Sequence, residues 1–335
     1  MKKFLKILGI AVAVIVVFVI AGLIYFNSKY PDVNPPSNVK IISTPEKIIR
    51  GEYLANHVAV CIDCHSTRDW TKFSGPLVSG TEGKGGFNFG PPEGMPGNIY
   101  AKNITPANIG GWTDGELIRA ITQGVTKDNH ALFPVMPYYS YNHLTKEDLE
   151  DIVCYVRSLK PIENKVHETE LNFPVNLIVK TLPLKTYTPS EPVNKTDSIK
   201  YGNYLLGIAG CGGCHTPAND KGELIAGMDL AGGRKFTTPW GLVQSANITP
   251  DPETGIGNWT KDEFIGRFKK YSSEQARDIS VDPNSFNSVM PWTMYAGMTE
   301  EDLGAVYEYL KTVKPIKHLV VKYTPLTAEK KKDYK

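Results

Sequence analysis

The sequence predicts a mainly α-helical protein in which two tandem copies of one domain follow an N-terminal transmembrane helix. Three observations lead to this prediction: a long uncharged apolar run, a series of motifs that occurs twice in the same order, and capping boxes followed by apolar residues at helical spacing. Strand signals are weak throughout, and the helices are expected to be short, with long Gly- and Pro-rich loops between them. A chain of 335 residues suits two modest domains with connecting segments.

Residues 1–28 form the predicted cytoplasmic N-terminus and membrane anchor. Lys2, Lys3 and Lys6 precede an uncharged run over Ile7–Phe26. A helix of that length spans about 30 Å, the thickness of a bilayer core. A cleaved signal peptide is the alternative, but no small-x-small cleavage site follows the run, so we expect a retained anchor. Basic residues before the helix predict a cytoplasmic N-terminus, with the rest of the chain outside.

Two homologous blocks follow, residues 47–161 (block one) and 198–316 (block two). The motifs that occur in both are Gly51-Glu52-Tyr53-Leu54 with Gly202-Asn203-Tyr204-Leu205, Asn103-Ile104-Thr105-Pro106 with Asn247-Ile248-Thr249-Pro250, Trp112-Thr113 with Trp259-Thr260, Met136-Pro137 with Met290-Pro291, and Leu144–Leu149 with Met298–Leu303. Their order is kept and only the loop lengths differ, which indicates a tandem duplication. The remaining segments are a Pro-rich spacer over 29–46, a connector over 162–197 and a basic C-terminal tail over 317–335.

Each block is predicted to contain a first helix, a second helix that starts with a capping box and a last helix. The capping boxes are Thr113-x-x-Glu116 and Thr260-x-x-Glu263. The last helix of block one begins at Thr145, and its predicted buried stripe consists of Leu149, Ile152, Val153, Val156 and Leu159.

A five-residue motif occurs once in each block, as Cys61-Ile62-Asp63-Cys64-His65 and Cys211-Gly212-Gly213-Cys214-His215. Two thiols three residues apart can each add to a vinyl group of one haem, and the adjoining His can ligate the iron. One chance match is expected in roughly one or two chains per thousand. A redox dithiol does not need the His, and a zinc site needs a second ligand pair that the sequence lacks. We therefore predict two covalently bound haem c groups, with His65 and His215 as iron ligands.

The second axial ligand is predicted to be Met136 in block one and Met290 in block two, because these methionines align and each precedes a proline. The remaining candidates are Met95 in block one, Met294 and Met298 in block two, and His57 or His130 for bis-His ligation. An iron with His and Met ligands has no open position, so such a site carries electrons and does not bind substrate.

Several other residues are candidates for a role beside the cofactor. Trp112 and Trp259 either donate an indole N–H to a haem propionate or pack in the core. Asn103 and Asn247 are cofactor-binding candidates that fix the adjoining loop through side-chain hydrogen bonds, with ordinary turn chemistry as the alternative. Cys154 falls away from the apolar stripe of its helix, so we expect it near the surface or at an interface.

Block two has the longer segment between its repeated Trp and Met, 31 residues against 24 in block one. This longer segment contains three basic residues and a tyrosine close together: Arg267, Lys269, Lys270 and Tyr271. A basic lobe of this kind predicts a docking surface for a partner.

Taken together, the motifs resemble class I cytochrome c domains, and in particular the multihaem cytochrome c subunits of membrane-bound alcohol, aldehyde and nicotinate dehydrogenases. The loop over Asn247–Gly257 is especially similar, and the likeness covers about residues 48 to 316. The resemblance implies short helices and long loops around each haem, and a dehydrogenase as electron donor. Those subunits typically carry three haem domains whereas this chain has two, which keeps a quinol-oxidising complex open as the donor, with an oxidase or soluble cytochrome as acceptor.

The predicted function is electron transfer by a membrane-anchored dihaem c-type cytochrome. The chain is expected to cross the bacterial inner membrane once, with its haem domains on the periplasmic side and redox proteins as partners. It would act as an electron-transfer protein or as the electron-transfer subunit of an oxidoreductase complex, without catalysis of its own. The alternative is a dihaem peroxidase-type enzyme with one open iron site. The net charge of +2 argues neither for nor against nucleic-acid binding. We expect no nucleic-acid partner.

Overall fold

The structure, a computed structural model, describes residues 1–219 and 222–326 and is mostly helical. In these ranges the α-helices are α1 (Lys2–Lys29), α2 (Pro45–Tyr53), α3 (Cys61–Cys64), α4 (Pro106–Ile109), α5 (Asp114–Gln123), α6 (Tyr138–Tyr141), α7 (Lys146–Ser158), α8 (Val175–Ile178), α9 (Ser198–Ile208), α10 (Cys211–His215), α11 (Lys261–Lys269), α12 (Glu274–Arg277), α13 (Trp292–Tyr295) and α14 (Glu300–Leu310). The predicted basic tail includes Lys330, Lys331, Lys332 and Lys335, which lie outside the described residues.

Helix α1 is 28 residues long, and none of its residues is buried against the rest of the chain. Its mean hydropathy reaches 3.2, so it is long and apolar enough to cross a membrane. The extended spacer that follows lies along block one and the connector. Ile41 N–H donates to the Asp114 carboxylate at 2.8 Å, and Asn34 N–H donates to the Lys185 carbonyl at 2.9 Å.

The two blocks contain the same order of helices. The corresponding pairs are α2 with α9, α3 with α10, α5 with α11, α6 with α13, and α7 with α14. Both predicted capping boxes form, with the Thr113 and Thr260 hydroxyls accepting from the N–H of Glu116 and Glu263. Because these caps are local signals, they start corresponding helices at corresponding positions.

The first and last helices of each block cross in close contact at a repeated glycine. A Cβ atom on Gly51 would lie 1.9 Å from the Asp151 carbonyl oxygen, and one on Gly202 would lie 1.9 Å from the Ala305 carbonyl oxygen. Only glycine permits this backbone approach. The predicted stripe of α7 is buried at this crossing, with Leu149, Ile152, Val153, Val156 and Leu159 in one hydrophobic core.

Block one contains an extra residue between its first repeated glycine and its Cys-His motif. Gly51 precedes Cys61 by one residue more than Gly202 precedes Cys211. The structure accommodates this residue in a π-helical turn, Leu54–Val58, which directly follows α2.

Among the residues that the structure describes, six short strands form two antiparallel sheets, which the weak strand signals did not reveal. The strands are β1 (Asn88–Phe89), β2 (Gly97–Tyr100), β3 (Glu170–Leu171), β4 (Lys235–Thr238), β5 (Gly241–Gln244) and β6 (Tyr323–Pro325). The strand order is β1-β2-β3 in one sheet and β4-β5-β6 in the other. In both, a hairpin inside the block receives its third strand from the chain that follows the last helix. Strands this short carry too little alternation to be read from sequence.

The expectation that Cys154 lies near the surface is wrong, because its side chain is only 3% exposed. The spacer covers the outer side of α7, and the Ser43 side chain lies within hydrogen-bonding reach of the thiol. The spacer therefore supplies cover that the helical wheel of α7 alone does not show.

Candidate functional site

Each Cys-His motif begins directly after a residue in the left-handed conformation. This residue is Val60 in block one, with φ 47°, and Gly210 in block two, with φ 68°. It ends the first helix of the block and redirects the chain into a single helical turn. Helical spacing of i and i+3 puts the two cysteines of each motif on one side of that turn.

The histidine of each motif is oriented by a backbone carbonyl. His65 Nδ1 lies 2.6 Å from the Lys102 carbonyl oxygen, and His215 Nδ1 lies 2.7 Å from the Ala246 carbonyl oxygen. A carbonyl only accepts, so Nδ1 carries the proton and Nε2 keeps its lone pair for a metal. Burial lowers the pKa of both histidines, partly opposed by the same hydrogen bond, so the neutral form that ligates metals is favoured.

The carbonyl that binds each histidine belongs to a loop held by the repeated asparagine. Asn103 follows Lys102; its side chain donates to the Ile162 carbonyl at 2.8 Å and accepts from Thr105 N–H at 2.9 Å. The corresponding bonds in block two join Asn247, Thr249 and Ile316. The asparagines therefore tie the histidine-binding loop to the chain after the last helix, and their cofactor-binding role stays a prediction.

The cysteine thiols lack the properties of a redox dithiol. The surrounding protein raises the pKa of Cys61, Cys64 and Cys211 to about 12, chiefly by burial, although each side chain keeps some solvent access. A reactive dithiol depends on a lowered thiol pKa. No group of three or more His, Cys, Asp or Glu that could hold a metal ion occurs in residues 1–219 and 222–326, so the zinc alternative finds no support there.

The two aligned methionines have the same local geometry. The proline after Met136 has φ −81° and ψ 50°, and the proline after Met290 has φ −79° and ψ 65°. These angles form an inverse γ-turn, in which the N–H of Tyr138 and of Trp292 donates to the Met carbonyl at 2.8 Å. Both methionines are half-buried and pack against the same hydrophobic core as the first cysteine of each motif.

The other ligand candidates lie in different surroundings. Met95 is half-buried in the loop before β2, and His130 is exposed. His57 lies on the π-helical turn with its Nδ1 2.9 Å from the Met294 carbonyl oxygen of block two. Met294 and Met298 are buried at 5% and 3% exposure.

The repeated tryptophans are anchored through their backbone carbonyls. Arg157 donates to the Trp112 carbonyl at 2.6 Å, and the Tyr307 hydroxyl donates to the Trp259 carbonyl at 2.7 Å. Trp112 packs against the core, whereas Trp259 is 37% exposed. The cofactor role of both remains a prediction.

No protein-family model matches the chain. The fructose dehydrogenase cytochrome subunit of Gluconobacter japonicus is 29% identical over 287 residues, which cover 79% of this chain and 52% of that subunit. The alcohol dehydrogenase (quinone) cytochrome c subunit of Gluconacetobacter polyoxogenes is 28% identical over 298 residues, 83% of this chain and 59% of that subunit. A diheme cytochrome c-type protein of Cereibacter sphaeroides is 29% identical over 265 residues, 76% of this chain and 82% of that protein.

The chain is similar to the cytochrome c subunits of fructose and alcohol dehydrogenases. This confirms the resemblance predicted from the motifs. The chain spans between about half and three fifths of the length of the fructose and alcohol dehydrogenase subunits that it matches.

The two Cys-His motifs lie near a shared boundary between the blocks that contains two tyrosines. The Tyr141 hydroxyl donates to the Ala59 carbonyl at 2.6 Å, and the Tyr295 hydroxyl donates to the Ala209 carbonyl at 2.8 Å. Burial raises the pKa of Tyr295 well above its usual value, and the charges that add to this come from both motifs: Cys211, Cys214, Asp63 and Cys64.

Each block also donates an equivalent tyrosine hydrogen bond to the other block. The Tyr53 hydroxyl of block one donates to the Asp302 carboxylate at 2.5 Å, and the Tyr204 hydroxyl of block two donates to the Asp148 carboxylate at 2.6 Å. Each hydroxyl also accepts the N–H of the threonine that caps the same helix, at 3.2 Å. Helix α13 packs against the π-helical turn, as α6 packs against α9. The interface therefore has pseudo-twofold symmetry.

The predicted basic docking lobe is wrong for two of its residues, because they are engaged inside the chain. Tyr271 is buried and stacks on Phe73 of block one, with ring centroids 5.4 Å apart. The Lys269 ammonium donates to the backbone carbonyls of Ala296, at 3.1 Å, and Met298. The exposed members are Arg267 and Lys270. The longer segment of block two thus contacts block one, which the loop length alone did not indicate.

Proposed function

We propose that the chain is a membrane-anchored dihaem c-type cytochrome that carries electrons between a respiratory dehydrogenase, or a quinol-oxidising complex, and a terminal acceptor. The observation that carries this proposal is the duplicated Cys-x-x-Cys-His motif in which each His donates Nδ1–H to a backbone carbonyl and leaves Nε2 available. The homologous dehydrogenase subunits and the diheme protein support electron transfer by a c-type cytochrome.

The residues of both motifs fit haem c. Paired cysteines on one helical turn suit two thioether bonds, and an oriented neutral imidazole suits an axial position. In block one the group would be held by Cys61, Cys64 and His65, and in block two by Cys211, Cys214 and His215. Haem c, when bound, supplies a one-electron iron couple.

The sixth ligands in this proposal are Met136 and Met290. Their shared inverse γ-turn, and their packing against the hydrophobic core that Cys61 and Cys211 also contact, support this choice over Met95. A soft thioether opposite His raises the potential and closes the iron to substrate, which favours electron transfer over catalysis. Trp112 and Trp259 are proposed to face the haem propionates, while Asn103 and Asn247 hold the loop that orients each histidine.

The membrane arrangement follows from α1. Its length and apolar composition support a single crossing of the bacterial inner membrane, and the lysines at its start support a cytoplasmic N-terminus with both blocks in the periplasm. The names of the homologues favour a dehydrogenase as donor. An oxidase or soluble cytochrome is the proposed acceptor.

A redox titration of the full chain and of its Met136→Ala and Met290→Ala variants tests the proposal. Each variant should lower the midpoint potential of one haem and allow that haem alone to bind carbon monoxide, because its iron loses a ligand. Met95→Ala is the control and should leave both potentials unchanged. If Met136→Ala leaves both potentials in place, Met95 or a histidine is the ligand. Rapid binding of carbon monoxide or peroxide to one haem of the unchanged protein would favour the peroxidase-type alternative.

A further inference from the structure

The loop of block one that follows its Cys-His motif crosses to block two and binds the loop that carries Met290. Ser74 is fully buried; its hydroxyl donates to the Met290 carbonyl at 2.6 Å and accepts from Trp292 N–H at 2.9 Å. The Ser74 N–H donates to the Asn287 side-chain oxygen at 2.8 Å. Buried hydrogen bonds of this kind fix a loop, because breaking them leaves unpaired polar groups without water.

Asn287 also joins the crossing loop of block one to the Met290 loop of block two. Its side-chain NH₂ donates to the carbonyls of Trp70, at 3.2 Å, and Lys72, at 3.1 Å, both in block one. Its oxygen also accepts from Ser288 N–H at 2.8 Å. The Ser288 hydroxyl in turn accepts from Met290 N–H at 3.2 Å. The backbone of Met290 is therefore held at both its N–H and its carbonyl.

The crossing loop is connected to the first Cys-His motif through Arg68. The Arg68 guanidinium donates to the carbonyls of Ser74, at 2.6 Å, and Gly75, at 2.8 Å, and to the Asp63 carboxylate at 2.9 Å. Asp63 lies between the two cysteines of the block-one motif. Both charged side chains are only 8% exposed, and such a buried, charge-assisted pair has a defined geometry. Hydrogen bonds and one ion pair therefore connect the first Cys-His motif to Met290.

The backbone of the crossing loop is held in an uncommon conformation. Ser74 has φ 63° and Gly75 has φ 49°, in the left-handed region. A non-glycine residue persists there when its surroundings over-determine it, and such residues concentrate at functional sites. The bonds to Arg68, Asn287 and Met290 supply that constraint at Ser74.

Among the described residues, block two gives no equivalent support to the methionine of block one. The positions that correspond to Asp63 and Arg68 are Gly213 and Ala218. Within residues 1–219 and 222–326, the Met136 carbonyl accepts from Tyr138 N–H and from no residue of block two. The crossing contact thus serves one methionine only.

We propose that Ser74 is a positioning residue for the block-two axial ligand. From block one it holds the Met290 loop in place, so the strength of ligation at the second haem depends on the first block. This inference rests on the proposed His/Met ligation.

The test uses the full chain with both haems and the variant Ser74→Gly, since glycine accepts the left-handed backbone and removes the CH₂OH side chain together with its hydroxyl. The rate of cyanide binding to each ferric haem reports how often its Met–iron bond opens. We expect the block-two haem to bind cyanide about tenfold faster, the size of one lost buried hydrogen bond. Its sulfur-to-iron charge-transfer absorption should weaken and its potential should fall, while the block-one haem stays unchanged.

Two further variants make the result specific. Ser74→Ala also lacks the hydroxyl and should reproduce the faster cyanide binding, so the test does not depend on one variant. Lys72→Ala is the matched control: it removes the 2.8 Å ion pair with Asp278 in the same interface without touching Met290, and both haems should behave as in the parent.

The outcomes separate this inference from the proposed function. If Met290→Ala leaves the second haem closed to cyanide, the His/Met ligation itself fails. If Met290→Ala opens that haem, but Ser74→Gly and Ser74→Ala bind cyanide at the rate of Lys72→Ala, the positioning role of Ser74 is rejected.

Discussion

Block one and block two share a helical frame but support their methionine loops differently. In block one the surrounding elements are held by the chain's own connector: Asn142 donates to the Thr186 carbonyl at 2.9 Å, and Tyr139 donates to the Leu182 carbonyl at 2.8 Å. In block two the Met290 loop is held by Ser74 of the other block. Duplication preserved the helix crossings and the capping boxes, whereas the loops that contain the two repeated methionines are held by different segments.

This difference matters because groups around a metal ligand tune the metal. Under the proposed His/Met ligation, two haem sites with the same ligands and different supports can differ in potential. The following experiments separate what the blocks share from what distinguishes them.

The largest effect is expected at the shared helix crossing. Gly51→Ala and Gly202→Ala should each destabilise the protein by about 3 kcal/mol, because the new methyl group would overlap a backbone carbonyl of α7 or α14. Chemical denaturation monitored by circular dichroism measures this. Gly207→Ala, on α9 with open space around it, is the control and should be neutral or slightly stabilising. Tolerance of alanine at one of the two crossings would show that the blocks do not share this packing.

An intermediate effect is expected at the interface between the blocks. Tyr53→Phe and Tyr204→Phe should each cost about 2 kcal/mol, since each removes a hydrogen bond to a buried carboxylate and leaves a capping N–H unpaired. Equal losses of unfolding free energy in urea would support the pseudo-twofold interface. A neutral result for one tyrosine alone would break that symmetry. Tyr25→Phe, at an exposed position on α1, is the control.

The smallest effect is a pH dependence confined to block one. Asp151 stands where block two has Ala305, and burial, followed by the nearby Asp148 charge, raises its pKa to about 6 from 3.8. Between pH 4 and 6 the folded chain keeps a proton that the unfolded chain releases, so this residue's contribution to stability falls as pH rises through that window. The change in thermal midpoint that Asp151→Ala causes should therefore be more positive above pH 6 than at pH 4.

The control for this prediction is Asp262→Ala on the exposed side of α11, which should not raise the thermal midpoint above pH 6. A constant difference between Asp151→Ala and the parent at both pH values would contradict the raised pKa.

The helices and the Cys-His motifs could be predicted from sequence because their signals are local. Thr113 and Thr260 cap their helices as expected, and the stripe from Leu149 to Leu159 is buried. The order of repeated motifs also indicated which residues correspond. The extra residue between Gly51 and Cys61 is visible in the sequence. The sequence alone did not indicate that this residue is accommodated in a π-helical turn.

The contacts between segments distant in sequence could not be predicted. Cys154 is buried by the spacer, and Tyr271 is buried by Phe73, which lies almost 200 positions earlier in the chain. Ser74 carried no signal at all, since a single serine in a loop has no periodicity and no repeat partner. Such contacts depend on how the two blocks meet, and no local pattern encodes that.

The exchanged tyrosines have a consequence for the origin of the chain. Each block offers a tyrosine and receives one, as in a symmetric homodimer where residue i meets j and j meets i. One block with both features is complementary to its own copy. Joining two copies through residues 162–197 keeps the partners at high effective concentration, so the pair does not separate on dilution. The two blocks thus correspond to the two subunits of a covalently linked dimer. After fusion, each block can acquire features that the other lacks, such as the crossing loop, whereas the subunits of a homodimer have identical sequences.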